Sequence, residues 1–247
     1  MIRGLSSIAL AAAIGLLVAA CGGSPATPNA AAPSAAARPP LPAGTYTSSS
    51  FTPAVTYTLP DGWEKVADSA AYLQLTPAGS DTAGIYVFRN PVAASQDPAC
   101  PDQPEPGVGA TSSELVKWIR ERPGLTVSNP AMVNVGGLPG ISIDVGIKDG
   151  WTQSCSFANG SPTVPLFNGG AAGYHWIMYG DERMRLYVLD LPGGGTAVVN
   201  VDTVDGTVID QLIADALPIV KSMSFAGTAP ASIAPAPASG APSPGAS

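Results

Sequence analysis

From Val55 to Val201 the chain repeats one device: a short apolar or alternating run stopped by Pro, Gly, Asn or Asp. Val55 to Leu59 alternates and halts at Pro60-Asp61-Gly62, where Pro presets φ and Gly takes the positive φ of a turn. Trp63 follows directly. Ala71–Leu75, Ile85–Phe88, Leu125–Val127, Met132–Val135, Ile141–Ile147, Tyr174–Tyr179 and Met184–Leu191 read as further strands. Gly136-Gly137-Leu138-Pro139-Gly140 breaks one pair, and Pro192-Gly193-Gly194-Gly195 turns the chain into Ala197–Val201 as an antiparallel hairpin. Connections this tight suit an antiparallel sheet, because parallel neighbours need long crossovers.

Two helices interrupt the strands. Thr111-Ser112-Ser113-Glu114 is a capping box, a hydroxyl followed three residues later by a carboxylate. It opens a helix carrying Leu115, Trp118, Ile119 and Arg122, which Pro123 closes by pushing its predecessor out of helical space. Thr207 and Asp210 form the same box ahead of a stripe of Val208, Ile209, Leu212, Ile213, Ala216 and Leu217. Pro218 ends or kinks that helix near Leu217, before a strand from Ile219 to Phe225. Residues 90–110, rich in Pro and Gly, read as a long irregular loop. The expected class is α+β: one domain over residues 45–226, an antiparallel sheet with helices covering a face.

The first twenty residues carry only Arg3 as a charge, and Ile8 to Ala20 is unbroken apolar or small. A spanning helix needs roughly 20 such residues, so residues 1–20 read as a secretory signal. Val18-Ala19-Ala20-Cys21 resembles a bacterial lipobox, which predicts cleavage before Cys21 and acylation of its thiol by diacylglycerol and palmitate-type chains. Two or three such chains anchor a protein stably where one does not. The expected home is therefore a cell membrane on its extracytoplasmic side, either a single-membrane envelope or an outer membrane. The alternative is an ordinary signal whose cut happens to precede a cysteine.

Charged side chains make up 12% of the chain, about half the usual share, and much of the deficit lies in two tails. Residues 22–44 hold only Arg38, and residues 227–247 hold no charge. Both lack the large apolar residues that offset chain entropy and are expected to be disordered. The first, residues 21–44 counted from the lipidated cysteine, reads as a tether reaching at most roughly 70 Å if polyproline-like. The formal charge of −7, more negative once Arg3 is cleaved, with no clustered cations, excludes a nucleic-acid partner. With Cys21 used by lipid, Cys100 and Cys155 remain as an even pair in an oxidising compartment and read as a structural disulfide. A redox or metal thiol pair is the alternative, but neither has a Cys or His neighbour at ligand spacing.

The order of strand, Leu59-Pro60-Asp61-Gly62-Trp63 turn, strands, inserted helix, strands and a closing helix running into Lys221-Ser222-Met223-Ser224-Phe225 resembles the PsbP-like α/β/α sandwich. Within that group it is similar to the LpqN-type lipoproteins of actinobacterial envelopes. The resemblance covers about residues 51–226. It implies an antiparallel sheet flanked by two helices and a non-enzymatic accessory or binding role, and it supplies no site residue. The Cys100/Cys155 pair and the Pro/Gly loop have no counterpart in that pattern.

Little in the sequence points to catalysis. His175 is the only histidine, so a hydrolase using histidine as base must use it. No Gly-x-Ser-x-Gly elbow presents a nucleophile, and a histidine in the aromatic strand Tyr174-His175-Trp176 is more often a packing or edge residue. One histidine leaves little for zinc, and no cofactor or metal site is expected. Asp202 and Asp205 with Gly206 lack the ligand spacing of a calcium loop; acids approaching a helix start explain them. Gly107-x-Gly109 is not followed by Lys-Ser/Thr and reads as a flexible loop rather than a phosphate cradle. The aromatic residues are the sharper feature. Trp151, flanked by Gly150, and the alternate pair Tyr174 and Trp176 form a candidate binding surface, against the alternative that Trp176 fills the core. The expected function is a lipid-anchored, non-enzymatic envelope protein binding a partner protein, a glycolipid or a small apolar ligand. The rivals are an envelope hydrolase using His175 or paired carboxylates, and a structural or assembly lipoprotein.

Overall fold

A computed structural model describes residues 40–169 and 173–227. The signal segment, Cys21, most of the tether and almost all of the C-terminal tail lie outside the described residues, as do positions 170–172. The described residues belong to one compact unit, Ala37–Ser247. They form fourteen strands and two α-helices, and every strand pairing among them is antiparallel.

The central sheet runs in the order β3 (Trp63–Asp68), β4 (Tyr72–Pro77), β5 (Ala83–Arg89), β13 (Thr196–Thr203), β12 (Arg183–Asp190), β9 (Leu138–Ile147) and β7 (Leu125–Val127). The long strand β9 serves two partners. Its first half pairs β8 (Ala131–Val135) and its last residues pair β7. Period two divides the sheet residues cleanly. Ile85, Val87, Leu189, Ala197, Val199 and Val201 enter one core, while Phe88, Leu186, Val188 and Val198 enter another.

Each face is covered by one helix and one small sheet. On the first lie α2 (Ile209–Ser222) and the sheet β1 (Gly44–Thr47), β2 (Val55–Leu59), β14 (Ser224–Phe225). Helix α2 inserts Leu212, Ala216, Ile219 and Val220, the side of the helix that its apolar stripe marks. On the second lie α1 (Ser112–Arg120) and the sheet β11 (His175–Tyr179), β10 (Thr163–Asn168), β6 (Val92–Ala93). Burying apolar faces on both sides is what fixes strand register here, since a one-residue slip would exchange the two cores.

The α+β class and the antiparallel sheet stand, with several local corrections. The Thr111 box at α1 forms in both halves: Glu114 N–H donates to Thr111 Oγ1 at 3.3 Å, and Thr111 N–H donates to Glu114 Oε2 at 3.1 Å. At α2 the expected Thr207/Asp210 box does not form. Asp205 accepts from the Thr207 N–H at 3.0 Å and caps a 3-10 turn, Gly206–Val208, that leads into the helix. Pro218 does not end α2, which continues to Ser222, so the strand expected from Ile219 shrinks to Ser224–Phe225. Residues 90–110 are less irregular than their composition suggests, because β6 pairs β10 and Ala94 bridges Pro104. Leu138-Pro139-Gly140 belongs to β9 rather than breaking it. Pairing also begins inside the stretch read as tether, where Leu41 bridges Trp63 and packs on the first core.

Cys100 and Cys155 are bonded, with Cα atoms 5.7 Å apart. Cys155 is buried, and its N–H donates to Thr163 Oγ1 at the start of β10. The disulfide therefore ties the 90–110 loop to the small sheet of the second face. No helix among the described residues is long and apolar enough to cross a membrane.

Candidate functional site

The sequence offered two aromatic features, and the structure separates them. Trp151 is half-buried. Its indole N–H donates to Thr163 O at 2.9 Å, and its ring lies over Gly124, where a Cβ would come within 2.6 Å of it. Trp151 is thus held as packing, lines a second depression that shares Glu182 with the Trp176 side, and makes no ring contact with Tyr174 or Trp176. Tyr174 and Trp176 come together on the inner side of β11, as their alternation requires. There they join a line of rings: Trp176 meets Tyr86 edge-on at 4.7 Å and Phe88 at 5.3 Å, and Tyr174 lies 4.9 Å from Phe88. Tyr72 closes the line beside Phe88 at 5.5 Å.

This aromatic line ends at two acids: Glu182, which the sequence does not single out, and Asp202, which it reads as an acid approaching a helix start. Glu182 sits in the turn between β11 and β12, where Tyr179-Gly180-Asp181-Glu182 reads as a solvated hairpin end, yet it is 2% exposed. Asp202 lies on β13, also 2% exposed, and shares the face of Val198 and Asn200. Glu182 Oε1 accepts from the Trp176 indole N–H at 3.2 Å and Oε2 from the Tyr179 N–H at 3.0 Å. The two carboxyls are hydrogen-bonded to each other. Burial pushes the Glu182 carboxyl up to about 7 against the pull of its hydrogen bonds. Burial, and then the charge of Glu182, push Asp202 well above the usual carboxylate range. Two adjacent carboxyls in a poorly solvated site cannot both ionise, so the pair holds a proton.

Around the pair runs a cleft of about 220 Å³, walled by Tyr86, His175, Trp176 and Tyr179 and reached past Asp81. No Lys or Arg is among its lining residues. Burial also pushes the phenols of Tyr86 and Tyr72 up, and the charge of Asp202 adds to the effect. These hydroxyls are therefore neutral donors throughout the physiological range.

His175 lines this cleft, but its Nε2 makes no hydrogen bond to a hydroxyl among the described residues. It pairs with Asn168 across the β10–β11 ladder, and its Nδ1 lies 3.9 Å from Asp102. Its Nε2 is buried without a hydrogen-bond partner among the described residues. Gly109 packs against the Glu114 carboxylate, which rules out a phosphate cradle there. Gly193, Gly194 and Gly195 make the β12–β13 hairpin, each with positive φ. Asp205 caps a helix turn while Asp202 faces the interior, so the two do not share a ligand site. Among the described residues no group of three or more His, Cys, Asp or Glu is placed to hold a metal ion.

A larger depression of about 260 Å³ lies at the start of α2, between Val127, Val145, Met184 and Ile213. It is a weaker candidate. Its Asp144 is already held by Arg185 through two bonds of 2.6 and 2.9 Å, and none of its lining residues has a buried polar atom without a partner. Polar demand concentrates instead at the acid pair.

No family model matches the chain, and no curated protein matches its sequence. Solved structures do. The chain is similar to a protein from Bacteroides thetaiotaomicron at 9% identity and a TM-score of 0.33, covering 69% of this chain; it spans only 44% of that protein's length. It is similar to LpqN of Mycobacterium tuberculosis, a protein involved in cell envelope biogenesis, at 16% identity and a TM-score of 0.35, over 75% of this chain and 88% of that one. It is also similar to the cyanobacterial PsbP of Synechocystis at 10% identity and a TM-score of 0.36, over 75% and 94%.

Proposed function

We propose that this chain is a lipid-anchored, non-enzymatic accessory protein of the cell envelope, built as a PsbP-like α/β/α sandwich, that binds a ligand in the cleft beside Trp176. The observation that carries the reading is the coincidence of an aromatic wall and a buried acid pair at one end of the second core. Ligand sites are mostly apolar concavities with a few convergent polar groups, and this cleft has that make-up. Its size suits a small ligand or the end group of a larger one. The layering of α2, sheet and α1 supports the sandwich, and the lipobox at Cys21 supports the anchor. Attachment through Cys21 would hold the cleft outside the cytoplasm, within reach of envelope proteins and lipids.

Complementation of a deletion strain tests this. Trp176→Ala is expected to lose the biological role and Met132→Ala, at an exposed side chain outside the cleft, to keep it, at equal abundance and fold. A healthy Trp176→Ala strain would remove the cleft from the function.

One observation favours a second reading. A carboxyl pair whose members ionise at different pH is the equipment of general acid–base hydrolysis. An envelope hydrolase working through Glu182 and Asp202 would lose turnover in both Glu182→Gln and Asp202→Asn while retaining ligand. Retained turnover in either variant would end that reading.

A further inference from the structure

We infer that the Trp176 cleft is a site for a small organic cation, an alkylammonium group whose N–H donors take the place of the proton held between Glu182 and Asp202. The inference rests on the ligand-binding reading of the cleft and adds the chemical class of the ligand.

At the acid pair four carboxyl oxygens converge with no cation among the described residues to meet them. Both Glu182 oxygens already accept, from Trp176 and from Tyr179. Asp202 Oδ1 is buried and meets no N–H donor among the described residues. Two residues along the same strand face, behind the cleft lining, Asn200 is fully buried with its amide donor and acceptor both unpartnered. Buried polar atoms left without partners are rare, and each calls for a cause. Asp81 contributes a further carboxylate at the mouth, while the lining includes no Lys or Arg. An anion would face three carboxyls, so the occupant is a donor carrying positive charge. The walls agree. Tyr86 and Trp176 present aromatic rings, and Tyr179 is 46% exposed beside them. Ring faces attract ammonium groups.

The proton balance is explicit. When the alkylammonium enters with its own protons, the shared proton of the pair leaves to solvent and the second carboxyl ionises against the new charge. Binding therefore releases a proton where the free pair holds one, and affinity rises with pH until the pair is ionised on its own.

The test is calorimetric titration of the full lipidated protein in detergent with propylammonium and, separately, with propanol. It is run on either side of neutrality in buffers of different protonation enthalpy. Propylammonium is expected to bind with proton release that is larger on the acid side. Asp202→Asn is expected to weaken it about tenfold or more, the loss of a charge-assisted hydrogen bond. Asp81→Asn, at the exposed mouth, provides a variant that does not touch the interior and is expected to weaken binding by about twofold, with salt sensitivity. Equal affinity of propanol and propylammonium overturns the cation assignment and leaves the ligand-binding reading standing. Propylammonium binding undiminished in both variants overturns it as well. No binding of either probe, together with a healthy Trp176→Ala strain, removes both readings.

Discussion

The two faces of the sheet are covered by matching parts, one helix and one three-stranded sheet, but they treat polar groups differently. On the α2 side the buried acid is Asp68. Its carboxylate accepts from the N–H groups of Ser49, Ser50 and Phe51 and from Lys65 Nζ, all between 2.7 and 3.2 Å. Unpartnered buried polar atoms on that face are limited, among the described residues, to the Tyr57 hydroxyl and Arg89 Nε. On the α1 side the buried acids include Glu182 and Asp202, which face each other rather than a cation, and Thr76, Trp118, Tyr174, Thr196 and Asn200 also keep buried polar atoms without partners. One face is finished as a core. The other tolerates unmet polar demand and needs extra fastening, which the Cys100–Cys155 bond supplies.

Breaking that bond is the largest expected effect. It closes a loop of 55 residues, for which chain entropy gives about 4 kcal/mol. Reduction, or Cys100→Ser with Cys155→Ser, is expected to lower the melting temperature. Because the bond fastens only the α1 side, amide exchange should rise in β10 and β11 before it rises in α2 or β2. Uniform loss of protection on both faces would show that the two layers do not differ in the way proposed.

The acids give a second contrast, with opposite signs. Glu182 has a usual value of 4.5 raised to about 7, and Asp202 moves the same way. The folded state keeps their proton where the unfolded chain has lost it. Their contribution is whole below the unfolded value and disappears as pH rises through about 7. Asp68 runs in reverse. Burial raises its carboxyl, but the donors of Ser49, Lys65 and Phe51 outweigh this and hold it at about 2 against a usual 3.8. Its contribution is present above 3.8 and is lost as pH falls through about 2. The melting temperature is expected to fall as pH rises across neutrality, and Asp202→Asn should flatten that limb. Asp68→Asn should flatten only the acid limb. A neutral limb unchanged by Asp202→Asn would mean that the pair is not the titrating group.

The same contrast explains what the sequence disclosed. The strands of the finished core, Val55–Leu59 and Ala197–Val201, alternate or run apolar and are readable by period. Strand β10 is buried at every position, yet Pro165 within it argues against an interior strand; it was legible only once its place in a three-strand sheet was known. Strand β3 carries a register shift between Lys65 and Ala67 and a buried Glu64, so its alternation is spoiled. Helix α2 passes through Pro218 because tertiary packing of Ile219 and Val220 outweighs a local penalty. The site was half legible. Tyr174 and Trp176 stood out as aromatic residues at alternate positions. Glu182 is written like any turn acid, and Asp202 like a helix-approach acid. One signal was available: extending the β13 alternation past Val201 puts Asp202 on the inward face of Val198 and Asn200, where an acid needs a partner.

The smallest expected effects compare the two helix starts. Helix α1 is fastened by local polar bonds: the reciprocal Thr111/Glu114 box, and the Ser112 N–H and hydroxyl donating to Asp190 at 2.8 and 2.7 Å. Helix α2 has no side-chain cap of its own at Val208, and Asp205 serves only the 3-10 turn before it. It is held by burying Leu212, Ala216, Ile219 and Val220. Removing the α1 cap leaves a helix-end donor unmet, so Thr111→Ala is expected to cost about 1 kcal/mol. Asp205→Ala frays a turn whose loss the buried stripe of α2 survives, and should cost roughly half as much. Urea midpoints of the two variants decide the order. A larger loss for Asp205→Ala would mean that α2 depends on its entry turn as strongly as α1 does. The distinction between a helix fixed by polar bonds and one fixed by burial would then fail at its clearest point.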